Sequence, residues 1–255
     1  MADEIVQIAD GFWNIRGAFR VFGLLNIGTQ SSLVRLAGGR YALLDSYTLK
    51  GDPRDEVMAR TDGGDALDAI INLHPFHTVH VKAVAAMFPN AKLYGTSRHH
   101  AVAPDLRWEP ERTETAAFAA LFADDLDLTV PKGVDFVPSN ENLHFASVLA
   151  IHKATETLHV DDTLNWIPIP FVKGLAFHPT LNKVLERRPG AAADFRAWAE
   201  AFADRCETVR HVCTAHTKLA PVSGDPPGGI AQRVRAALTK VDKVLRKHEA
   251  AHPAQ

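Results

Sequence analysis

The order of predicted strands and helices is the feature of this sequence that most restricts its fold. Strands dominate the start of the chain, helices then alternate with strands, and the same succession occurs once more before the end. A sheet that is covered by helices on one face must bury its other apolar face, and a second sheet can do this. The sequence therefore predicts an α/β fold of four layers, an αββα sandwich in which two mixed β-sheets are flanked by helices.

Four strands and a helix are predicted in the first sixty residues. A Gly38–Gly39 turn connects the last two strands as a hairpin. A helix is predicted to begin at Pro53 and to end at Gly63, because proline suits the first helical turn and glycine commonly ends a helix. The four strand segments are EIVQIAD, GFWNIRG, SSLVRLA and RYALLDS.

The second half of the chain repeats the strand and helix patterns. Strands are predicted at LDLTV, GVDFVPS, ENLHFASVLAIHK, LHVDDTL and RHVCTAH, and a helix at AAADFRAWAEAFADRC. An amphipathic basic helix is predicted over about 230–249. Because the chain contains no strong internal repeat and no low-complexity linker, we expect a single domain over residues 1–255.

Composition excludes several classes of function. The net charge of -2 gives no reason to expect nucleic acid as a partner. No apolar run approaches the ~20 residues that cross a bilayer, and the acidic start lacks the pattern of a secretory signal, so we expect no membrane association. The two cysteines form neither a disulfide framework nor a zinc-finger spacing. A cytoplasmic location is the expectation.

Histidines and aspartates follow the ends of predicted strands, where loops on a rigid scaffold carry chemistry. Three histidines lie within seven residues in the segment HPFHTVH, directly after the strand DAIINL. A metal site needs donors that converge from several elements, and imidazole with carboxylate suits zinc, iron or manganese. The candidate metal ligands are His74, His77, His80, His144, Asp162 and His216.

The order of these residues resembles that of the metallo-β-lactamase superfamily. Its members have an αββα sandwich, an aspartate that ends an early strand, the motif H-x-H-x-D-H, a lone histidine, an aspartate at a strand end and a last histidine. The resemblance covers about residues 5–219. Asp45, HPFHTVH, His144, Asp162 and the His216 of VCTAH stand in those places here.

The segment HPFHTVH departs from the motif in either alignment. If His74 is the first histidine, Phe76 and Thr78 replace the second histidine and the aspartate. If the motif is aligned from its end, His77 and His80 are the second and third histidines, and a proline and a valine replace the other two residues. The second alignment fits slightly better. In both, the aspartate that normally holds a second metal in the family is missing.

The resemblance implies a metal-dependent hydrolase of a small ester, thioester, lactone or similar substrate, acting through a metal-bound hydroxide. The cofactor would be one or two ions of zinc, or else of iron or manganese. Asp162 would be the catalytic bridging ligand, and His178 would line the substrate pocket. Three alternatives stay open: an inactive, metal-free sandwich with a binding or structural role, an oxygen-using iron site, and a homodimer formed through the basic C-terminal helix.

Other polar and aromatic residues have simpler interpretations. Asp45 is expected to be structural, holding loops beneath the site. Trp166 and Phe171 could wall the site, although aromatic residues more often belong to the core. Four histidines are expected at the surface: His99, His100, His152 and His159.

Overall fold

The computed structural model describes residues 3–21, 25–167, 174–216 and 226–253. Within these ranges, two β-sheets lie between two groups of helices, which confirms the predicted αββα sandwich. The first half of the chain builds one sheet and the second half builds the other. None of the described helices is long and apolar enough to cross a bilayer.

In the described part of the first half, seven strands form a mixed sheet in the order β1-β2-β5-β6-β7-β8-β9. The pairs from β1 to β6 are antiparallel, and the pairs from β6 to β9 are parallel. The short strands β3 and β4 pair with each other. The strands are β1 (Glu4–Ala9), β2 (Phe12–Gly17), β3 (Arg20–Val21), β4 (Leu25–Asn26), β5 (Thr29–Arg35), β6 (Tyr41–Leu44), β7 (Leu67–Ile71), β8 (Lys92–Gly95) and β9 (Trp108–Arg112).

The described residues of the second half form a four-stranded sheet in the order β10-β11-β12-β15, together with the hairpin β13-β14. Its first three strands are antiparallel, whereas β12 and β15 run parallel, so that this sheet is also mixed. The strands are β10 (Leu126–Thr129), β11 (Leu149–His152), β12 (Thr157–Val160), β13 (Leu164–Ile167), β14 (Gly174–Phe177) and β15 (His211–Thr214).

The helices lie in the segments between strands and at the end of the chain. Pro53 is in the first turn of α1, and α7 covers the segment for which an amphipathic helix is predicted. The α-helices are α1 (Gly51–Arg60), α2 (Val81–Met87), α3 (Ser97–Val102), α4 (Ala116–Leu121), α5 (Leu181–Val184), α6 (Ala191–Arg205) and α7 (Gly229–Ala251). Short 3-10 turns cover Asp62–Gly64 and Lys153–Thr155.

Three apolar clusters hold the layers together. The middle cluster lies between the sheets, where Ile71 of β7 and Ala150 of β11 are both fully buried. The second cluster packs α1 and α2 on the first sheet through residues such as Val57 and Val84. The third packs α6 and α7 on the second sheet, with Phe195 at its centre. Burial of this apolar area is the main force that stabilises such layers.

Two strand predictions differ from the structure. The GVDFVPS segment is not a strand, because Gly133 adopts a φ of +71° and a Cβ there would lie 1.9 Å from the carbonyl oxygen of Ala191. The segment pairs instead with the end of α5, where the Asp135 amide donates to the Val184 carbonyl at 2.8 Å. The predicted strand ENLHFASVLAIHK is much shorter than expected, since only its last part forms β11.

Three of the four histidines that were expected at the surface are buried. His99 is buried because its ring caps α3, with Nδ1 accepting the Thr96 amide at 3.2 Å. His152 and His159 lie in strands that are covered on both faces, and each is less than 2% exposed. Only His100 keeps partial exposure. The surface prediction was therefore wrong for His99, His152 and His159.

Candidate metal centre

The candidate residues gather at one edge of the sandwich because parallel strands end on the same side. His74 and His77 are in the loop after β7, Asp162 follows β12, and His216 follows the adjacent parallel strand β15. His144 lies in the long connection that precedes β11. Five of the six predicted ligands therefore come together from four separate segments. We call these five residues the pocket cluster.

Asp162 is the centre of the pocket cluster. Its Oδ2 lies 3.1 Å from Nε2 of His74, 3.7 Å from Nε2 of His77 and 3.7 Å from Nδ1 of His144. Its Oδ1 lies 2.9 Å from Nε2 of His216. Four imidazoles thus surround one buried carboxylate.

These distances suit ligands of a common cation. Donor atoms that bind zinc at about 2.0 to 2.2 Å in a tetrahedral arrangement lie about 3.3 Å from one another. Oδ2 of Asp162, Nε2 of His74 and Oδ2 of Asp161 are buried, and although each lies 3.1 Å from a His–Asp partner, none makes a well-aligned hydrogen bond among the described residues. Buried polar atoms without partners are rare in folded proteins. The donor set therefore fits a divalent cation at Asp162.

Backbone carbonyls fix one ring nitrogen of both His144 and His216. Nε2 of His144 lies 2.9 Å from the Glu141 carbonyl oxygen, and Nδ1 of His216 lies 2.8 Å from that of Gly28. Only a protonated ring nitrogen can donate to a carbonyl, so the neutral His144 ring carries its lone pair on Nδ1, the nitrogen that faces Asp162. Burial lowers the pKa of His216, but the hydrogen bond from its Nε2 to Oδ1 of Asp162 outweighs this and raises the pKa, so a cation would take the place of that proton. Backbone carbonyls fix the tautomers of metal-binding histidines in the same way.

His77 lies between two carboxylates. Its Nδ1 is 3.1 Å from Oδ2 of Asp161, while its Nε2 faces Asp162. Burial lowers the pKa of His77, but the attraction of the two carboxylates outweighs this and raises the pKa to about 9. The pKa of Asp162 is held well below its usual range by His74 and His216, although burial opposes this. A cation at this position would take the place of the His77 proton.

His74 is the most buried member of the pocket cluster and, unlike His144, it turns its protonated nitrogen toward Asp162. Its Nδ1 accepts the backbone N–H of Phe76 at 3.2 Å, which leaves the proton of the neutral ring on Nε2. Burial, together with the charge of His77, lowers the pKa of His74 to about 4. To bind a cation through Nε2, His74 would have to move that proton to Nδ1 and give up the hydrogen bond from Phe76.

A second group of histidine and carboxylate side chains lies beneath the pocket cluster. We call Asp45, His159 and Asp161 the buried cluster; their candidate ligand atoms lie within 4.8 Å of one another. Nε2 of His159 is 3.0 Å from Oδ2 of Asp45, and its Nδ1 is 2.9 Å from Oγ of Ser32. The Leu73 amide donates to Oδ1 of Asp45 at 2.8 Å. Asp45 thus holds the start of the histidine loop from below.

A cavity of about 380 Å³ opens above the pocket cluster. Its walls include the apolar side chains Phe19, Ile27, Phe76 and Val79, and Asp162 lies at its base. Phe19 is 41% exposed and Val79 is 77% exposed, so both are open to solvent at the cavity. The cavity is large enough to admit a small molecule beside the carboxylate.

His178 and His80 line this cavity without joining the pocket cluster. Nδ1 of His178 is tied to Oγ1 of Thr180 at 2.7 Å. His80 points toward the segment between β6 and α1, with Nδ1 2.8 Å from Oγ1 of Thr48 and its ring against Tyr47. The structure therefore does not bring His80 to Asp162.

Neither alignment of HPFHTVH with the family motif describes the loop. His74 belongs to the alignment from the start of the motif and His77 to the alignment from its end, yet both approach Asp162. Phe76 lies between them, and its ring stacks on His144 with centroids 4.7 Å apart. When the motif is aligned from His74, an aromatic ring therefore stands in the place of its second histidine.

Several residues that support the pocket cluster are not among those predicted from the sequence. Gln30 donates to Oδ1 of Asp161 at 3.2 Å, and Arg16 holds the end of β15 by donating to the Thr214 carbonyl at 2.7 Å. For both Gln30 and Arg16, the sequence feature that could have indicated the role is a polar residue within a predicted strand. Arg98 contacts Pro75 and Glu141. No sequence pattern indicates this role, because the contacts join segments that are distant along the chain. Trp166 is buried in the core near α6, and Phe171 lies outside the described residues.

The fold is similar to that of several metallo-β-lactamases of known structure. An enzyme from Erythrobacter litoralis with β-mercaptoethanol in its active site is 15% identical, with a TM-score of 0.59 over 93% of this chain and 96% of that one. The enzyme from Pontibacter korlensis is 13% identical, with a TM-score of 0.56 over 93% and 99%. FIM-1 from Pseudomonas aeruginosa, in a mono-zinc form, is 12% identical, with a TM-score of 0.56 over 93% and 97%.

By sequence alone the chain has no such match. No protein-family profile matches it, and no curated protein sequence matches it. At these identities the structural similarity establishes the fold and does not establish an activity.

Proposed function

Because the chain has the metallo-β-lactamase fold, we propose that it is a metal-dependent hydrolase of small esters, thioesters or lactones. The observation that carries this proposal is the convergence of four imidazoles on Asp162, with the lone pair of His144 Nδ1 already directed at that carboxylate. Apolar walls beside a set of polar groups are typical of a small-molecule site.

The proposed ligand atoms are sufficient for one ion. Nε2 of His77, Nδ1 of His144, Nε2 of His216 and a carboxylate oxygen of Asp162 would hold it, and His74 would join them only if its proton moved to Nδ1, at the cost of the Phe76 hydrogen bond. Phe76 offers no donor, and His159 and Asp45 of the buried cluster are engaged by each other and by Ser32 and Leu73. The mono-zinc form of FIM-1 is a precedent for this fold with a single zinc ion.

A bound divalent cation supplies Lewis acidity and lowers the pKa of water toward ~7, which suits hydrolysis at neutral pH. The protein side chains would do the rest. Asp161 keeps His77 oriented, and Asp162 balances the cation's charge. Phe19, Ile27 and Val79 would bind the apolar part of the acyl group. Nε2 of His178, the ring atom that Thr180 leaves free, would hydrogen-bond an oxygen of the substrate.

Elemental analysis of the purified protein tests the proposal. We expect one equivalent of zinc, iron or manganese in the wild type, and its loss in His77→Ala and His216→Ala. His252→Ala is the matched control, because His252 directly follows α7, far from the centre in the sequence, and its ring stacks on that of His248. The metal-loaded wild type should then hydrolyse a member of an ester, thioester and lactone panel.

Two results would contradict the proposal. A wild type that takes up no ion, even after incubation with excess zinc, would favour the alternative of a non-catalytic sandwich with a binding role. Equal loss of metal in the His252→Ala control would show that the ion is bound at the surface rather than at Asp162.

A further inference from the structure

Arg98 connects the two loops that carry His77 and His144. It belongs to α3, and its side chain is 14% exposed. Its Nη1 donates to the Pro75 carbonyl at 3.2 Å, and its Nη2 donates to Oε1 of Glu141 at 2.8 Å. Its guanidinium carbon lies 4.5 Å from the centre of the Phe76 ring. One side chain thus contacts both loops by three separate interactions.

Two of these interactions lead to His144. Phe76 stacks on the His144 ring, with an angle of 13° between the planes. Glu141, which binds the guanidinium through its side chain, accepts the Nε2 proton of His144 through its backbone carbonyl. The Phe76 ring fixes the plane of the imidazole, and the Glu141 carbonyl fixes its rotation and tautomer.

His144 needs this support more than the other members of the pocket cluster. Its side chain is 39% exposed, against 22% for His77, 18% for His216 and 0% for His74. An exposed imidazole on a loop samples several rotamers, and fixing it has an entropic cost that neighbours must offset. Phe76 and Glu141 are those neighbours, and Arg98 holds both.

We propose that Arg98 is a positioning residue that sets the affinity of the centre for its cation by holding His144 with Nδ1 toward Asp162. This inference rests on the proposed metal site. The planar guanidinium can lie against an aromatic ring while its edge donates to two oxygens. Lysine has a compact charge and cannot make all three contacts at once. The role therefore depends on the shape of arginine and not only on its charge.

Zinc affinity of the Arg98→Gln and Arg98→Lys variants tests the inference. We expect zinc to bind both variants roughly tenfold to a hundredfold more weakly than the wild type, the range typical of residues that orient metal ligands. Competition with a chromophoric chelator measures the affinity. The visible absorption spectrum of the cobalt-loaded protein should also change, because it reports the ligand geometry directly. Arg246→Gln, at an arginine of α7 that is 71% exposed, is the matched control.

A double-mutant cycle separates positioning from a general effect on folding. If Arg98 acts through His144, the Arg98→Gln/His144→Ala double variant should bind zinc no more weakly than His144→Ala alone. Thermal unfolding of the metal-free variants measures any effect on stability. Additive losses in the cycle would overturn the inference. So would a variant with lower stability but an unchanged cobalt spectrum and zinc affinity.

The same experiment distinguishes failure of this inference from failure of the proposed function. A wild type that binds zinc, beside Arg98 variants that bind it equally well, overturns only the role of Arg98. A wild type that binds neither zinc nor cobalt overturns the metal site, and the role of Arg98 with it.

Discussion

The pocket cluster and the buried cluster are built from the same two residue types and differ in how their polar atoms are satisfied. In the buried cluster, both nitrogens of His159 and both oxygens of Asp45 have partners in the protein, whereas Oδ2 of Asp161 faces His77 of the pocket cluster. In the pocket cluster, Nε2 of His74 and Oδ2 of Asp162 lie 3.1 Å apart, buried and without a well-aligned hydrogen bond among the described residues. An unpartnered buried polar group costs ~1–3 kcal/mol, and more when it is charged.

This difference shows which of two histidine–aspartate groups is suited to a ligand. Proximity alone does not, since both groups bring three candidate donors within 4.8 Å. The polar atoms of His159 and Asp45 are directed at one another and at Ser32 and Leu73, so these two residues act as structural supports. Four of the five pocket-cluster residues line an open cavity. Access to that cavity, rather than composition, distinguishes the proposed metal centre.

Replacing the central carboxylate should have the largest effect on metal content. Asp162→Asn removes the charge that four imidazoles share, and we expect the purified variant to contain no stoichiometric metal. Elemental analysis measures this. Asp162→Glu, which retains the charge, is the matched comparison and should keep a part of the metal. Full metal content in Asp162→Asn would show that the pocket cluster is not the binding site.

The matching change in the buried cluster should affect stability and leave metal content unchanged. Asp45→Ala leaves the Leu73 amide and His159 without their partner, and breaking a buried pair of this kind costs ~3–5 kcal/mol. Urea denaturation measures the free energy of unfolding. We expect the folded variant still to hold its metal. Loss of metal at full stability would reverse the assignment of the two clusters.

The architecture and most members of the pocket cluster could be predicted from the sequence because they follow from strand order. Asp162 and His216 end parallel neighbouring strands, so their meeting is a consequence of topology. The side chains of the HPFHTVH loop could not be predicted in the same way. Their directions depend on the turn that Pro75 opens and on contacts with Thr48 and Arg98, which are distant in sequence.

The burial of His99, His152 and His159 could not be predicted from the sequence either. His159 alternates with apolar residues in a strand and could equally face solvent or the core. It is buried because two residues of the opposite half satisfy its ring: Asp45 accepts the hydrogen bond from Nε2, and the Ser32 hydroxyl donates to Nδ1. A buried polar residue requires partners, and those partners come from a sheet whose packing the local pattern does not specify.

Acidification should weaken metal binding at the pocket cluster, since the His77 proton competes with the cation. The carboxylates outweigh burial and raise the pKa of His77 from 6.5 to about 9, so the ring is protonated below that pH and must lose its proton when the ion binds. We expect zinc affinity to rise about tenfold per pH unit from pH 7 to 8 and to level off above pH 9. Chelator competition across this range measures it. A flat profile would mean that His77 is not a ligand.

Gln30 should have the smallest effect, because it supports the pocket cluster only through Asp161. Its amide donates to Asp161 and to the carbonyls of Val160 and Cys213, and so ties the end of β12 to β5. Gln30→Met removes these donors while keeping the side-chain volume, which should let Asp161 shift and weaken zinc binding roughly tenfold. Gln30→Glu is the informative second variant, because it retains the shape but places a negative charge beside Asp161. If both variants bind zinc as tightly as the wild type, the two clusters are independent, and the buried cluster serves the fold without tuning the metal centre.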